Sequence, residues 1–239
     1  MTGTTATRDK TAIRDAATVI VVRDGDSDDP RVLMGQRGAK AAFMPNKFVF
    51  PGGAVDAGDR DIALGAEISQ PCRNRLGEDA ADDVWQALCV AATRELWEET
   101  GLILGRPGSW QDNVPTDWQS FAATGHVPDA SGLTFVFRAL TPPGRPRRFD
   151  ARFFLADADA LVGDLDDFSR ASDELSHLQW IPLSQVRSFD LPFITEVVLA
   201  EVTANLRSGT RPDSTPFFRN DDEESLFLRL HGRPMSQAQ

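Results

Sequence analysis

The sequence predicts a single domain of the α/β (α+β) class, and three observations predict it. Ala17–Val22 is a β-branched run that reads as a buried strand; the turn-forming Gly25–Pro30 follows, and Arg31–Arg37 returns as a second strand. Trp85, Cys89, Ala92 and Leu96 follow one another at steps of four, three and four, which makes an apolar stripe along a helix. Phe193, Val197, Ala200, Glu201 and Ala204, with Ile194, Val198 and Val202, give a second amphipathic helix that ends near Gly209.

The composition narrows the classes. A chain of 239 residues with 41% hydrophobic content can bury a sizeable core. We read residues 15–231 as one domain between flexible tails at 1–14 and 232–239. A net charge of -11 argues against general binding to nucleic acid or to an anionic membrane. There is no signal-peptide core and no apolar run of membrane-spanning length, so a cytoplasmic location is expected. Cys72 and Cys89 make no disulfide framework, and Cys89 lies on the apolar stripe. His126, His177 and His231 are scattered without metal-ligating spacing.

Further elements follow in order. A short strand is expected at Lys47 to Phe50, and the glycines Gly52 and Gly53 after it let backbone approach a ligand closely. Residues 105–147 read as mostly loop, with a strand near Leu133 to Leu140. Arg152–Ala156 and Leu178–Ile181 read as strands, Ser184–Phe189 as a short helix and Leu226–Leu230 as a late strand.

The chemistry concentrates in Arg94-Glu95-Leu96-Trp97-Glu98-Glu99-Thr100-Gly101-Leu102. In a helix Glu95, Glu98 and Glu99 stand at i, i+3 and i+4 and share a face. Like charges at this spacing cost about 0.2 to 0.5 kcal/mol per pair, and acids in a last turn also oppose the helix dipole. Gly101 suits the left-handed residue that closes a helix. A divalent cation reverses the balance, because Mg2+ prefers hard oxygen ligands completed by water and phosphates. The apolar stripe lies on another face, so this helix is expected to dock on a core and present its carboxylates outward. A local group of bases, Arg145, Arg147, Arg148 and Arg152, offers guanidinium forks for phosphate, or else solvated charges at a strand entrance.

These residues resemble the Nudix hydrolase signature, Gly-x5-Glu-x7-Arg-Glu-U-x-Glu-Glu-x-Gly-U with U aliphatic. Arg94, Glu95, Leu96, Glu98, Glu99, Gly101 and Leu102 all match its second half. Phe50-Pro51-Gly52-Gly53 is similar to the loop that opens it, and counting on from Gly53 brings Asp59 to the first acidic position. An uninterrupted motif would place its Arg at 67 rather than 94, an insertion of 27 residues. Counted back from Arg94, the first acidic position is Gln86, so the first Glu is not reproduced and no ligand is assigned there. The insertion, at about 60–86, reads either as a lid or specificity element or as a tolerated surface excursion.

The resemblance implies a Nudix αβα sandwich with a mixed sheet between helices, and hydrolysis of a diphosphate with Mg2+ or Mn2+. It implies metal ligation by Glu95, Glu98, Glu99 and the Gly52 carbonyl. Glu98 or Glu174, the latter in the loop Ser172-Asp173-Glu174, would accept the proton, and Arg94 would orient a neighbouring carboxylate. Arg37 stands thirteen residues before Phe50, an interval shared with coenzyme A diphosphatases, and the interrupted box resembles the branch of those enzymes with an insertion inside it. That assigns Arg37, Arg147, Arg148 and Phe50 to substrate binding and coenzyme A or its acyl derivatives as substrate. ADP-ribose or another nucleoside diphosphate derivative is the enzymatic alternative, and a non-catalytic nucleotide-binding regulator is the second class. The expected partner is a small-molecule nucleotide, with no nucleic acid and no membrane; a homodimer is left open.

Overall fold

Ile13–Arg23 (β1) is the central strand, and its alternation explains the layers. Val19 and Val21 face one apolar cluster while Ile20 and Val22 face another, all of them buried. The computed structural model describes residues 12–41, 43–80, 84–110, 113–209, 212–220 and 224–232. Most of the two stretches read as tails lies outside the described residues, although β1 begins at Ile13, inside the first of them.

The chain continues through Arg31–Arg37 (β2), Phe48–Val49 (β3) and Gly52–Ala54 (β4) to Gln70–Gly77 (α1) and Val84–Thr100 (α2). Gly105–Pro107 (β5), Gln119–Ala122 (α3) and His126–Pro128 (β6) form a side layer, with β5 and β6 paired as their own two-stranded sheet. Thr134–Leu140 (β7), Arg148–Asp157 (β8), Leu175–Pro182 (β9), Phe193–Ser208 (α4), Thr215–Asn220 (β10) and Ser225–Leu230 (β11) complete it. Among the described residues the main sheet runs β11-β10-β7-β8-β1-β2-β3, with β4 also on β1 and β9 also on β2. It is mixed: β1 pairs parallel with β8 and antiparallel with β2 and β4.

Helices α1 and α2 cover one face and α4 the other, as the two clusters of buried residues show. This is the expected mixed sheet between helices. The short helix expected at Ser184–Phe189 is a 3-10 turn at Val186–Ser188; β10 and β4 were not foreseen, and the stretch read as mostly loop holds β5, α3 and β6 as well as β7. Gly101 (φ 76°) closes α2 and Gly209 (φ 62°) closes α4 in the left-handed region, as their positions predict.

The insertion contributes side chains to the core. Ile62, Ile68, Cys72, Leu76 and Val84 are all buried. Arg138 on β7 holds the carbonyls of Glu78 and Asp79 at 3.1 and 2.9 Å, just past α1, and Glu78 in turn accepts the main-chain N–H groups of His231 and Gly232 at 2.7 Å. Phe217 of β10 and Leu230 of β11 share the cluster of Cys72 and Leu76. The strands beyond β7 extend the sheet's apolar face, and α1 covers it alongside α2.

Candidate active site

Helix α2 is buried nearly all round, which differs from the outward-facing acids expected of it. Glu95 is 9% exposed and Glu99 only 1%, because the β4 strand lies across them. The Gly52 N–H donates to Glu99 Oε2 at 2.7 Å. A Cβ on Gly53 would overlap the Glu95 carboxylate, and one on Gly52 would stand 2.5 Å from the Ala17 carbonyl oxygen. Two glycines are therefore required for β4 to reach β1 and the box acids at once.

Arg94 fixes the other side. Its Nε and Nη2 donate to Asp59 Oδ1 and Oδ2 at 3.0 and 3.1 Å, and Nη2 also reaches the Ala54 carbonyl at 3.0 Å. Nη1 donates to Glu95 Oε1 at 2.8 Å and Glu98 Oε2 at 3.2 Å. Burial alone would lower this guanidinium, but the Asp59 bonds and the charges of Glu95 and Glu98 hold it above its usual value. One fixed cation thus aims two carboxylates.

The remaining charge is uncompensated. Burial pushes the Glu95 carboxyl up to about 7, against the pull of Arg94. Burial and the Glu95 charge hold Glu99 well above the carboxylate range despite the Gly52 bond, and burial also raises Glu98. Glu99 Oε1 is buried with no hydrogen-bond partner. Among the described residues no three His, Cys, Asp or Glu side chains are gathered as a finished ligand set. An orphaned carboxylate oxygen beside a second raised carboxyl and two Cβ-free residues nevertheless fits a hard divalent cation.

Arg37 and Glu174 come together: Nη2 lies 3.7 Å from Glu174 Oε1. Both act on Glu99, whose ionisation the Glu174 charge opposes and the Arg37 charge favours. Phe50 is 4% exposed and packs in the α4-side cluster, so its ring is core. Arg148 donates to the Thr141 and Asn220 carbonyls, and Arg147 is exposed between β7 and β8. Arg152 is buried between Asp15 and Asp150. Asp59 is the residue that sequence reasoning passed over as a ligand; its place six residues after Gly53 was the available signal, and its role is to hold Arg94.

Comparison with known proteins follows this geometry. No family model matches the chain. A Caenorhabditis elegans protein named as nudix hydrolase 7 is 32% identical over 163 residues, which cover 63% of this chain and 46% of that one. The acyl-coenzyme A diphosphatase NUDT19 of Gallus gallus is 30% identical over 53% of this chain and 48% of its own length. The chain therefore spans about half the length of these curated relatives. The crystal structure of a NUDIX hydrolase from Alicyclobacillus acidocaldarius is 32% identical, covers 81% of this chain and 92% of that one, and superposes with a TM-score of 0.60. With the box acids, the Gly52-Gly53 strand and the mixed sheet in place, the chain belongs to the Nudix hydrolase family.

Proposed function

We propose that this chain hydrolyses the diphosphate bond of a nucleoside diphosphate derivative with the help of a divalent cation, Mg2+ or Mn2+. The observation that carries this reading is the buried Glu99 Oε1, left without a partner beside Glu95 under the Gly52-Gly53 strand. Glu95, Glu98 and Glu99 would hold the cation, with the Gly52 main chain beside them. When bound, the cation neutralises phosphate charge and acidifies water.

The chain's own groups do the rest. Arg94 keeps Glu95 and Glu98 aimed, and its hold on Asp59 and Ala54 keeps β4 against α2. Glu98, half-open to solvent, and Glu174, exposed on its loop, are the carboxylates able to accept a proton from an attacking water. Arg37 offers a guanidinium fork to a phosphate.

Coenzyme A or an acyl derivative is the preferred substrate. The thirteen-residue interval from Arg37 to Phe50 and the likeness to the acyl-coenzyme A diphosphatase of Gallus gallus support it. The test is a product assay by mass spectrometry with Mg2+ or Mn2+ and coenzyme A, acetyl-coenzyme A, ADP-ribose, NADH and a dinucleoside polyphosphate. Adenosine 3',5'-bisphosphate released from the first two alone supports the preferred substrate. Turnover of ADP-ribose instead keeps the chemistry and moves the specificity; binding without turnover favours a regulator.

A further inference from the structure

Arg37 ends β2 and lies opposite Leu175 in the pairing of β2 with β9. That register delivers Glu174, the residue just before β9, to the Arg37 side chain. The resulting pair is unequal. Arg37 keeps 18% of its side chain exposed, and its main chain is bonded to the Lys47 carbonyl at 2.9 Å and to the Asn46 N–H at 3.1 Å. Glu174 is 59% exposed and sits on a loop. At 3.7 Å the contact is an ion pair without a hydrogen bond. The guanidinium is therefore the more enclosed member and the carboxylate the one free to leave.

A second observation places the pair at the candidate metal site: the Ser172 N–H, two residues before Glu174, donates to the Glu98 carbonyl at 2.8 Å and ties this loop to the last turn of α2. The charges of Arg37 and Glu174 both reach the buried Glu99, and Glu174 also reaches Glu95. Glu99 has its unpartnered oxygen there. With a cation bound among these acids, Glu174 would have a competing partner, and the Arg37 fork would be left without an anion.

We propose that Glu174 is exchanged between Arg37 and the divalent cation, and that the guanidinium so released takes a phosphate of the nucleoside diphosphate substrate. This rests on the reading of the site as a metal-dependent diphosphatase. Arg37 is in these terms a positioning residue for Glu174 before the cation arrives and a phosphate ligand after it. Cation and phosphate then strengthen each other's binding, because each removes the other's competitor. An exposed pair is weak enough to be displaced by either.

The experiment is calorimetric titration of the full chain with Mn2+ alone, for the wild type, Arg37→Gln, Glu174→Gln and the double variant. Removing any nearby positive charge tightens cation binding somewhat, so the informative quantity is the difference between backgrounds. We expect Arg37→Gln to tighten Mn2+ binding by about two- to fivefold, the worth of an exposed ion pair, when Glu174 is present. In the Glu174→Gln background the same change should do little. An equal effect in both backgrounds, or weaker binding in Arg37→Gln, overturns the exchange. If the variants behave independently while a diphosphate is still turned over, only the exchange is lost; if the wild type binds no Mn2+ and turns over no diphosphate, the reading of the site falls with it.

Discussion

Arg94 grips Asp59 with two parallel hydrogen bonds, 3.0 and 3.1 Å long, across the start of the insertion. Asp59 is 2% exposed and also accepts the Asp56 N–H at 2.8 Å, so this carboxylate ties the β4 loop to α2. Removing one partner of a buried pair leaves the other charge uncompensated. Asp59→Ala should cost about 2 to 4 kcal/mol in chemical denaturation. It should also weaken Mn2+ binding, because Arg94 no longer aims Glu95 and Glu98 from a fixed place. Unchanged stability and unchanged metal affinity would show that the grip is incidental.

Glu99→Gln separates function from stability. The amide oxygen still accepts the Gly52 N–H, while a carboxyl that burial makes hard to ionise gives way to a neutral amide. Metal-free protein should melt at the wild-type temperature or above it, since the charge is unfavourable in place. Metal-dependent turnover should fall by at least about a hundredfold. Near-wild-type activity would remove Glu99 from the metal site.

The longer strands of the main sheet other than β10, and both long helices, could be read from the chain because their periodicity is local: Val19 to Val22, the stripe from Cys89 to Leu96, and the two closing glycines carry it. What could not be read depends on register between distant strands. Arg152 looked like one base in a surface cluster, yet Asp15 of β1 and Asp150 of β8 enclose it once β1 and β8 pair. Glu95 and Glu99 read as metal ligands facing outward, since nothing local says that β4 will lie across them. Strand β10 carries Pro216 and Arg219 and has a clear identity only between β7 and β11.

Gly53→Ala probes that overlap directly. The added methyl would collide with the Glu95 carboxylate, so either the side chain or the strand must move. We expect a loss of Mn2+ affinity of about tenfold or more with only modest loss of stability. Gly52→Ala meets rigid main chain of β1 instead, and should chiefly destabilise. Equal thermal shifts in the two variants would contradict this division.

The raised Glu95 carboxyl sets a pH dependence for the metal-free protein. Its folded pKa, about 7, lies above the value near 4.5 of an unperturbed Glu, so between these limits the folded state binds more protons than the unfolded. Stability from this group is therefore present at low pH and declines as pH rises from about 4.5 through about 7, by up to on the order of 3 kcal/mol. Denaturation in excess chelator at pH 5 and pH 8 measures it, and Glu95→Gln should flatten the difference. A wild-type slope identical to that of the variant would assign the change to other groups.

The insertion offers the last test, because a lid and a core element respond differently to the same substitution. Leu76 on α1 is 1% exposed and packs in the cluster that joins α1 and α2 to the sheet, with Phe217 and Leu230 from β10 and β11. Truncating it opens a cavity that rigid neighbours on three elements cannot readily fill. Leu76→Ala should therefore cost about 2 to 5 kcal/mol, while the folded variant keeps its Mn2+ affinity, since Leu76 touches none of the box acids. A lid would give the opposite pattern, with an unchanged melting temperature and an altered KM.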